Sequence, residues 1–524
     1  MGWLLIVLVA VPLAGAAALA LPAFRARDIA VTFGTAVSGV VLALALAAVA
    51  AFAVPYGQGG SSSPSSPGGP SGSGGGGLGG DMRLQTDLPW IPGLDLRFHL
   101  GVDGISLPLV VLTTLLTFLC FVHLTRHPPV GGRPRALVVT LLVLEVGMVG
   151  TFLALDLLLF FVFFEVVLVP MYFVIALWGG TRRRAAAVKF ILYTLLGSAV
   201  LLIGLLVVWA QVGTLDMVVL AQRHGGGMSR SAQILAFLAI GAGLAVKTPM
   251  WPLHTWLPDA HTEAPTVGSV LLAGVLLKMG SYGFARIAIP VLPKGAAAFA
   301  PWLGALAVIG IIYGSLACLA QRDLKRMIAY SSVGHMGFVL LGFATLTPVG
   351  MNAALFANVA HGLITGLLFF LAGAVKERYG TTDMARLGGG MLRRLPHMGS
   401  LLTFACVASL GLPGLAGFWG EMLALLGAFQ PAAVLPRPLF LAFMAVGGAG
   451  AVLTAAYFLR MLSRVTHGVH GVESGGAVDV TSHELAAWVP LVVLIVLLGL
   501  WPKALLAVTT PAVQAVFASG TVAP

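Results

Sequence analysis

The sequence predicts an all-α polytopic membrane protein of about 14 transmembrane helices, arranged as two inverted repeats that each contain a broken helix. Three observations predict it. Of 524 residues, 59% are hydrophobic and only 9% charged, where soluble domains carry about 25% charged residues. Apolar runs of about 20 residues recur along the whole chain, each long enough to cross a roughly 30 Å hydrocarbon core. Two of those runs are interrupted by proline and glycine at corresponding places of two halves, the sequence signature of an inverted-repeat transporter.

In order, the spans are expected at 2–23, 29–54, 105–124, 136–153, 155–177, 186–210, 232–254 (broken), 266–290, 301–320, 326–345, 351–375, 398–430 (broken), 437–462 and 485–505. The first apolar run lacks a positive leader, and Arg25 and Arg27 follow it, so it reads as a span that starts outside rather than a cleaved signal. The organisation is residues 1–135 with three helices, 136–291 (spans 4–8) as the first repeat, 300–465 (spans 9–13) as the second, and 466–524 as a C-terminal loop and helix. No evident residue-by-residue identity links the halves. Within the first region, 57–80 is a Gly/Ser/Pro-rich insertion with no capacity to pack.

Loop charges set the orientation. Odd-to-even connections carry clusters such as Arg126, Arg133 and Arg135, then Arg182, Arg183 and Arg184, then Arg322, Lys325 and Arg326; the other connections hold far fewer. By the positive-inside rule both termini lie outside and the Arg-rich loops face the cytoplasm of a cell membrane. The net charge of +11 is dispersed over these loops, not gathered on one basic face, so no nucleic-acid partner is expected. Cys120, Cys318 and Cys406 are isolated in apolar segments, which excludes a cysteine-ligated cluster or zinc motif and leaves this chain with no expected cofactor or metal.

The chemistry concentrates in a few ionisable residues at membrane depth. Each is costly there, at about 2.5–3.5 kcal/mol on insertion scales, and persists only when paired or hydrated. Lys247 precedes Thr248-Pro249 and Trp251-Pro252, which break its helix; broken backbone at that depth is tolerated where it lines a cavity or is covered by protein. Glu165 is the clearest acid and the natural partner of Lys247, forming a charge-controlled proton switch. Lys278, expected on a continuous helix, reads as a central relay. His335 and His361 can bridge the halves, because imidazole both donates and accepts near neutral pH. Glu421, just beyond the second break at Pro413, reads as the terminal acid. His254, Asp259, His261 and Glu263 follow the first break and read as an interfacial funnel or loop scaffold.

These residues stand in recognisable motifs: GVDGISLP (101–108), FFEVVLVPMYFVIALWGG (163–180), AVKTPMWPLHTWLPDAHTEAPT (245–266), LLKMGSYG (276–283) and AYSSVGHMG (329–337). The chain after the insertion resembles the proton-pumping antiporter-like subunits of respiratory complex I, the NADH–quinone oxidoreductase. Within them it is most similar to the M type, because Glu421 stands where the related L and N types and Na⁺/H⁺ antiporter subunits typically carry lysine. The resemblance implies a membrane-arm subunit beside L-like and N-like neighbours, with FMN, iron–sulfur clusters and quinone on partner chains and membrane lipid around it. It also implies that Glu165 and Lys247 couple, Lys278 relays, His335 and His361 bridge, and Glu421 discharges the proton. Subunits of a multi-subunit Na⁺/H⁺ antiporter or a membrane-bound hydrogenase are the alternative reading.

Overall fold

The computed structural model describes residues 2–21, 27–53, 82, 84–91, 93, 96–128, 132–468 and 478–518. The 57–80 insertion lies outside them. Twelve of the described helices are long and apolar enough to cross a membrane, and three shorter apolar helices accompany them. The difference from fourteen has a physical origin. The first predicted span is a helix of 16 residues, Trp3–Ala18. The predicted broken span 398–430 is two helices of 14 residues, Pro396–Ser409 and Ala416–Phe429. Between them Gly411 and Gly414 take φ of 80° and 95°, values that favour glycine and stop the helix.

The helices are not equally sheltered. The Thr266–Val291 window is 100% buried and that of Pro348–Tyr379 is 94% buried, whereas Asp28–Ala53 is 22% buried and Arg437–Val465 28%. The first pair forms the centre, so polar groups there must find partners inside the chain. The outer helices present leucine and valine to the surroundings.

The two halves share a local device. Asp156 caps Leu157–Val166 by accepting from the Leu158 and Leu159 N–H groups, and Asp323 caps Leu324–Ala344 by accepting from the Arg326 N–H. Asp156 bridges to Asp216, and Asp323 bridges to Asp383 in the same antiparallel manner. The backbone bonds match: Leu157 N–H to Leu215 O with Met217 N–H to Leu155 O, and Leu324 N–H to Thr382 O with Met384 N–H to Arg322 O. Both follow a helix ended by a left-handed glycine, Gly213 or Gly380. The segments read GTLDM (213–217) and GTTDM (380–384). The halves therefore do share identity, in a turn too short to notice against apolar background.

The structure refines three expectations. The chain is not purely helical: Leu84–Ile91 and Leu96–Val102 pair as an antiparallel hairpin, and Leu100 bridges to Ala154. The C-terminal region holds two helices, Ser482–Leu500 and Lys503–Ala518, because Pro502 cannot continue the first. The Lys278 helix is continuous over Thr266–Val291, as expected, but irregular: Leu272–Leu276 and Phe284–Ala288 are π-helical. Such widened turns are frequent at functional sites.

Candidate functional site

The seam between the two halves carries a chain of polar side chains. Lys278 is fully buried. Its Nζ donates to the Ala273 carbonyl inside the widened turn and lies 2.7 Å from His361 Nδ1. One turn along, Ser281 donates to Asn358 Oδ1 at 2.9 Å, a second rung on the same antiparallel helix pair. The pair approaches this closely because Gly362 faces Gly274. A Cβ on Gly362 would stand 2.9 Å from the Gly274 carbonyl oxygen and 2.6 Å from Leu112.

The Lys278–His361 contact is the crossing between the halves, and from His361 the polar chain continues within the second. The His361 and His335 rings lie 5.6 Å apart at 51°. His335 Nδ1 stands 2.7 Å from the Ser331 carbonyl and Nε2 2.9 Å from the Ser409 carbonyl. Both acceptors are oxygens without protons, so this geometry satisfies a doubly protonated ring. Glu421 Oε1 is 3.6 Å from His335 Nε2. A cavity of about 20 Å³ is lined by His335, His361, Ser409 and Glu421. That is room for one water, the bridge needed across the gap His361 leaves with its unpartnered Nε2.

Glu165 and Lys247 sit in the first repeat. Lys247 ends Arg230–Lys247, and its Nζ donates to the Phe164 carbonyl at 3.3 Å while lying 4.2 Å from the Phe164 ring centre. The ammonium thus rests one residue from Glu165. No ion pair joins the two among the described residues; Glu165 is half-buried and its Oε1 has no hydrogen-bond partner. Lys247 and Lys278 sit on packed helices. At their contact a Cβ on Gly280 would fall 2.7 Å from the Leu244 carbonyl and closer still to Thr248 Oγ1.

The structure also places residues beyond the six candidates. Arg286 Nη2 pairs with Asp103 Oδ1, both buried, and Arg286 Nε donates to Tyr282 at 3.1 Å. Arg286 was legible as a second cation within span eight. Glu145 is fully buried with neither carboxyl oxygen bonded. On the face of the Arg-rich loops, a cavity of about 380 Å³ is lined by Glu263, Lys325 and Lys376 among others. Lys325 donates to the Ala264 carbonyl at 3.0 Å. Behind it His261 is buried, stacked on Phe369 at 4.5 Å, with neither ring nitrogen bonded and both Lys325 and Lys278 in electrostatic reach. The expected funnel thus divides: Glu263 lines the cavity and His261 lies deep. Asp259 is committed to Lys189 and Arg326 at 2.7 and 3.4 Å.

Known proteins resemble this chain along most of its length. Residues 154–447 match the family model described as NADH:quinone oxidoreductase/Mrp antiporter, TM. NADH-quinone oxidoreductase subunit M of Rhodobacter capsulatus is 42% identical over 433 residues, covering 80% of this chain and 82% of that protein. A chain of respiratory complex I from Thermus thermophilus superimposes with a TM-score of 0.83 at 29% identity, covering 99% of this chain and 100% of that one. A chain of the Mrp complex from Dietzia sp. gives 0.82 at 22% identity over 99% and 98% of the two chains, a likeness of fold alone. The family model covers more than half of the sequence and the relatives match along most of it, so this chain belongs to the NADH:quinone oxidoreductase/Mrp antiporter family, in its NADH-quinone oxidoreductase subunit M branch.

Proposed function

We propose that this chain is the proton-translocating membrane-arm subunit of an NADH-quinone oxidoreductase, driven by electron transfer on partner subunits. The observation that carries the reading is the run Lys278–His361–His335–Glu421, which crosses the seam of the repeats through one 2.7 Å contact and continues in the second through one ring pair and one 3.6 Å approach. Several ionisable groups gathered at membrane depth are expensive for a scaffold and are the hallmark of a proton relay.

In this reading protons are taken up from the cavity beside Lys325 and Glu263, pass His261 and reach Lys278. Loss of the Glu165 charge near Lys247 alters the hold of the first repeat on its proton, and that change reaches Lys278 through the packed helices. Lys278 passes its proton to His361, the cavity water carries it to His335, and Glu421 releases it on the far side. Both termini lie outside and the Arg-rich loops face the cytoplasm. The neighbours are L-like and N-like membrane subunits, and FMN, iron–sulfur clusters and quinone reside with the peripheral arm and its junction. Lipid covers the remaining apolar faces.

The test is proton pumping matched to NADH oxidation in membranes carrying Glu165→Ala in assembled complex. Joint loss of both, with NADH-to-ferricyanide activity intact, is the expected outcome. Pumping and oxidation both near wild type would remove Glu165 from the coupling role and leave it a structural neighbour of Lys247.

A further inference from the structure

Outside the relay, three potential metal ligands converge at the mouth of the large cavity. His123 and His127 lie four residues apart, one at the end of the helix Leu107–Leu124 and one just beyond it, and their rings stack at 4.4 Å and 6°. Glu377 reaches them from the last turn of Pro348–Tyr379, with Oε2 2.8 Å from His127 Nδ1. One ligand atom from each of the three lies within 4.8 Å of the other two.

We propose that His123, His127 and Glu377 form a binding site for a divalent transition metal of the zinc class. Two imidazoles and one carboxylate, with a fourth position open to water, match the donor set zinc takes in a tetrahedral site. Magnesium or calcium would require more oxygen ligands than the group offers. Zinc-bound atoms lie roughly 3.4 Å apart when each is about 2.1 Å from the ion, so small side-chain rotations close the site. A second observation points to a ligand: His123 is 4% exposed, and its Nδ1 has no hydrogen-bond partner. A buried imidazole nitrogen without a partner is costly unless something binds there. The cavity of about 380 Å³ onto which all three face provides access and the fourth, water ligand.

Charged groups surround the site. Glu484 faces the pair but is held by Arg378 through two contacts of 2.8 Å. Glu263, Lys325 and Lys376 line the same cavity. The bound ion would tie the third span to the eleventh. This inference does not depend on the proton-relay reading.

The experiment uses the purified membrane complex containing this chain, stripped with EDTA and titrated with Zn²⁺ alone by equilibrium dialysis and atomic absorption. Wild type is expected to retain one more tightly held zinc than His127→Ala or Glu377→Gln, with affinity at that site at least tenfold weaker in each variant. His127→Cys is expected to keep the extra zinc, because thiolate is a zinc ligand. His397→Ala, in an exposed pair with Asp479, should leave the count unchanged. Equal counts and affinities in wild type, His127→Ala and Glu377→Gln would overturn the proposal.

Discussion

Lys278 Nζ lies 2.7 Å from His361 Nδ1 in a fully enclosed seam, with the Ala273 carbonyl as its other described partner. A lysine ammonium only donates, so Nδ1 accepts and the neutral ring's proton is on Nε2, which has no hydrogen-bond partner. Removing the lysine should interrupt transfer without opening the fold, since methionine fills the same volume. Lys278→Met is expected to lower NADH-driven proton pumping at least tenfold, about 1.4 kcal/mol in barrier, while the subunit still assembles. Pumping within twofold of wild type in native membranes would contradict it.

Lys247 and Glu165 should behave as neighbours coupled through a backbone carbonyl, because Lys247 donates to Phe164 O and no direct pair forms. A double-mutant cycle on the heat stability of the assembled complex, with Glu165→Gln and Lys247→Met, is expected to give a coupling energy below about 1 kcal/mol. A buried direct ion pair would instead cost about 3–5 kcal/mol on loss of one partner.

Arg286 and Asp103 are the contrasting case, a direct pair with both side chains at most 2% exposed. Arg286→Met leaves Asp103 charged, buried and with Oδ2 already unpartnered. A loss of about 3–5 kcal/mol is expected, read as failure of the complex to assemble or a sharply lower melting temperature. Asp103→Leu combined with Arg286→Met should recover most of it.

Gly280 touches the broken helix directly. Gly280→Ala would press a methyl group against the Leu244 carbonyl and Thr248, and backbone cannot yield cheaply. Pumping should fall severalfold with peripheral NADH oxidation unchanged, since the contact between the Lys247 and Lys278 helices is displaced. Wild-type coupling in this variant would mean that the helices move apart freely.

The aspartate bridge predicts opposite pH responses at its two members. Burial pushes Asp156 up to about 6, against the opposing Leu159 and Leu158 N–H groups. Its contribution is therefore greatest below the usual carboxylate range and declines as pH rises through about 6. For Asp216, burial acts upward but is outweighed by the His99 hydrogen bond and the Val219 and Val218 N–H groups, which hold it below its usual value. Its contribution is present above about pH 4 and is lost as pH falls through the lowered value. Hydrogen exchange at Leu157 and Met217, corrected for its intrinsic pH dependence, should quicken as pH rises from about 4 to about 6 in wild type and lose that step in Asp156→Asn.

The sequence by itself determined the membrane class and the two breaks and proposed the six candidate site residues, because each depends on local chemistry. Apolar length, proline geometry and the cost of an isolated charge in hydrocarbon can be read one segment at a time. Tertiary structure decided what those residues touch. It set Lys278 on His361 through the close approach of Gly274 and Gly362, and it rested Lys247 on a carbonyl in place of the Glu165 carboxylate. It also matched Arg286 with Asp103 and brought His123, His127 and Glu377 together from helices far apart in the chain. Such pairings depend on helix rotation and close backbone approach, which an apolar pattern leaves open. The same holds for the hairpin and the repeated G-T-x-D-M turn, whose meaning emerged only when each was seen bonded to its partner.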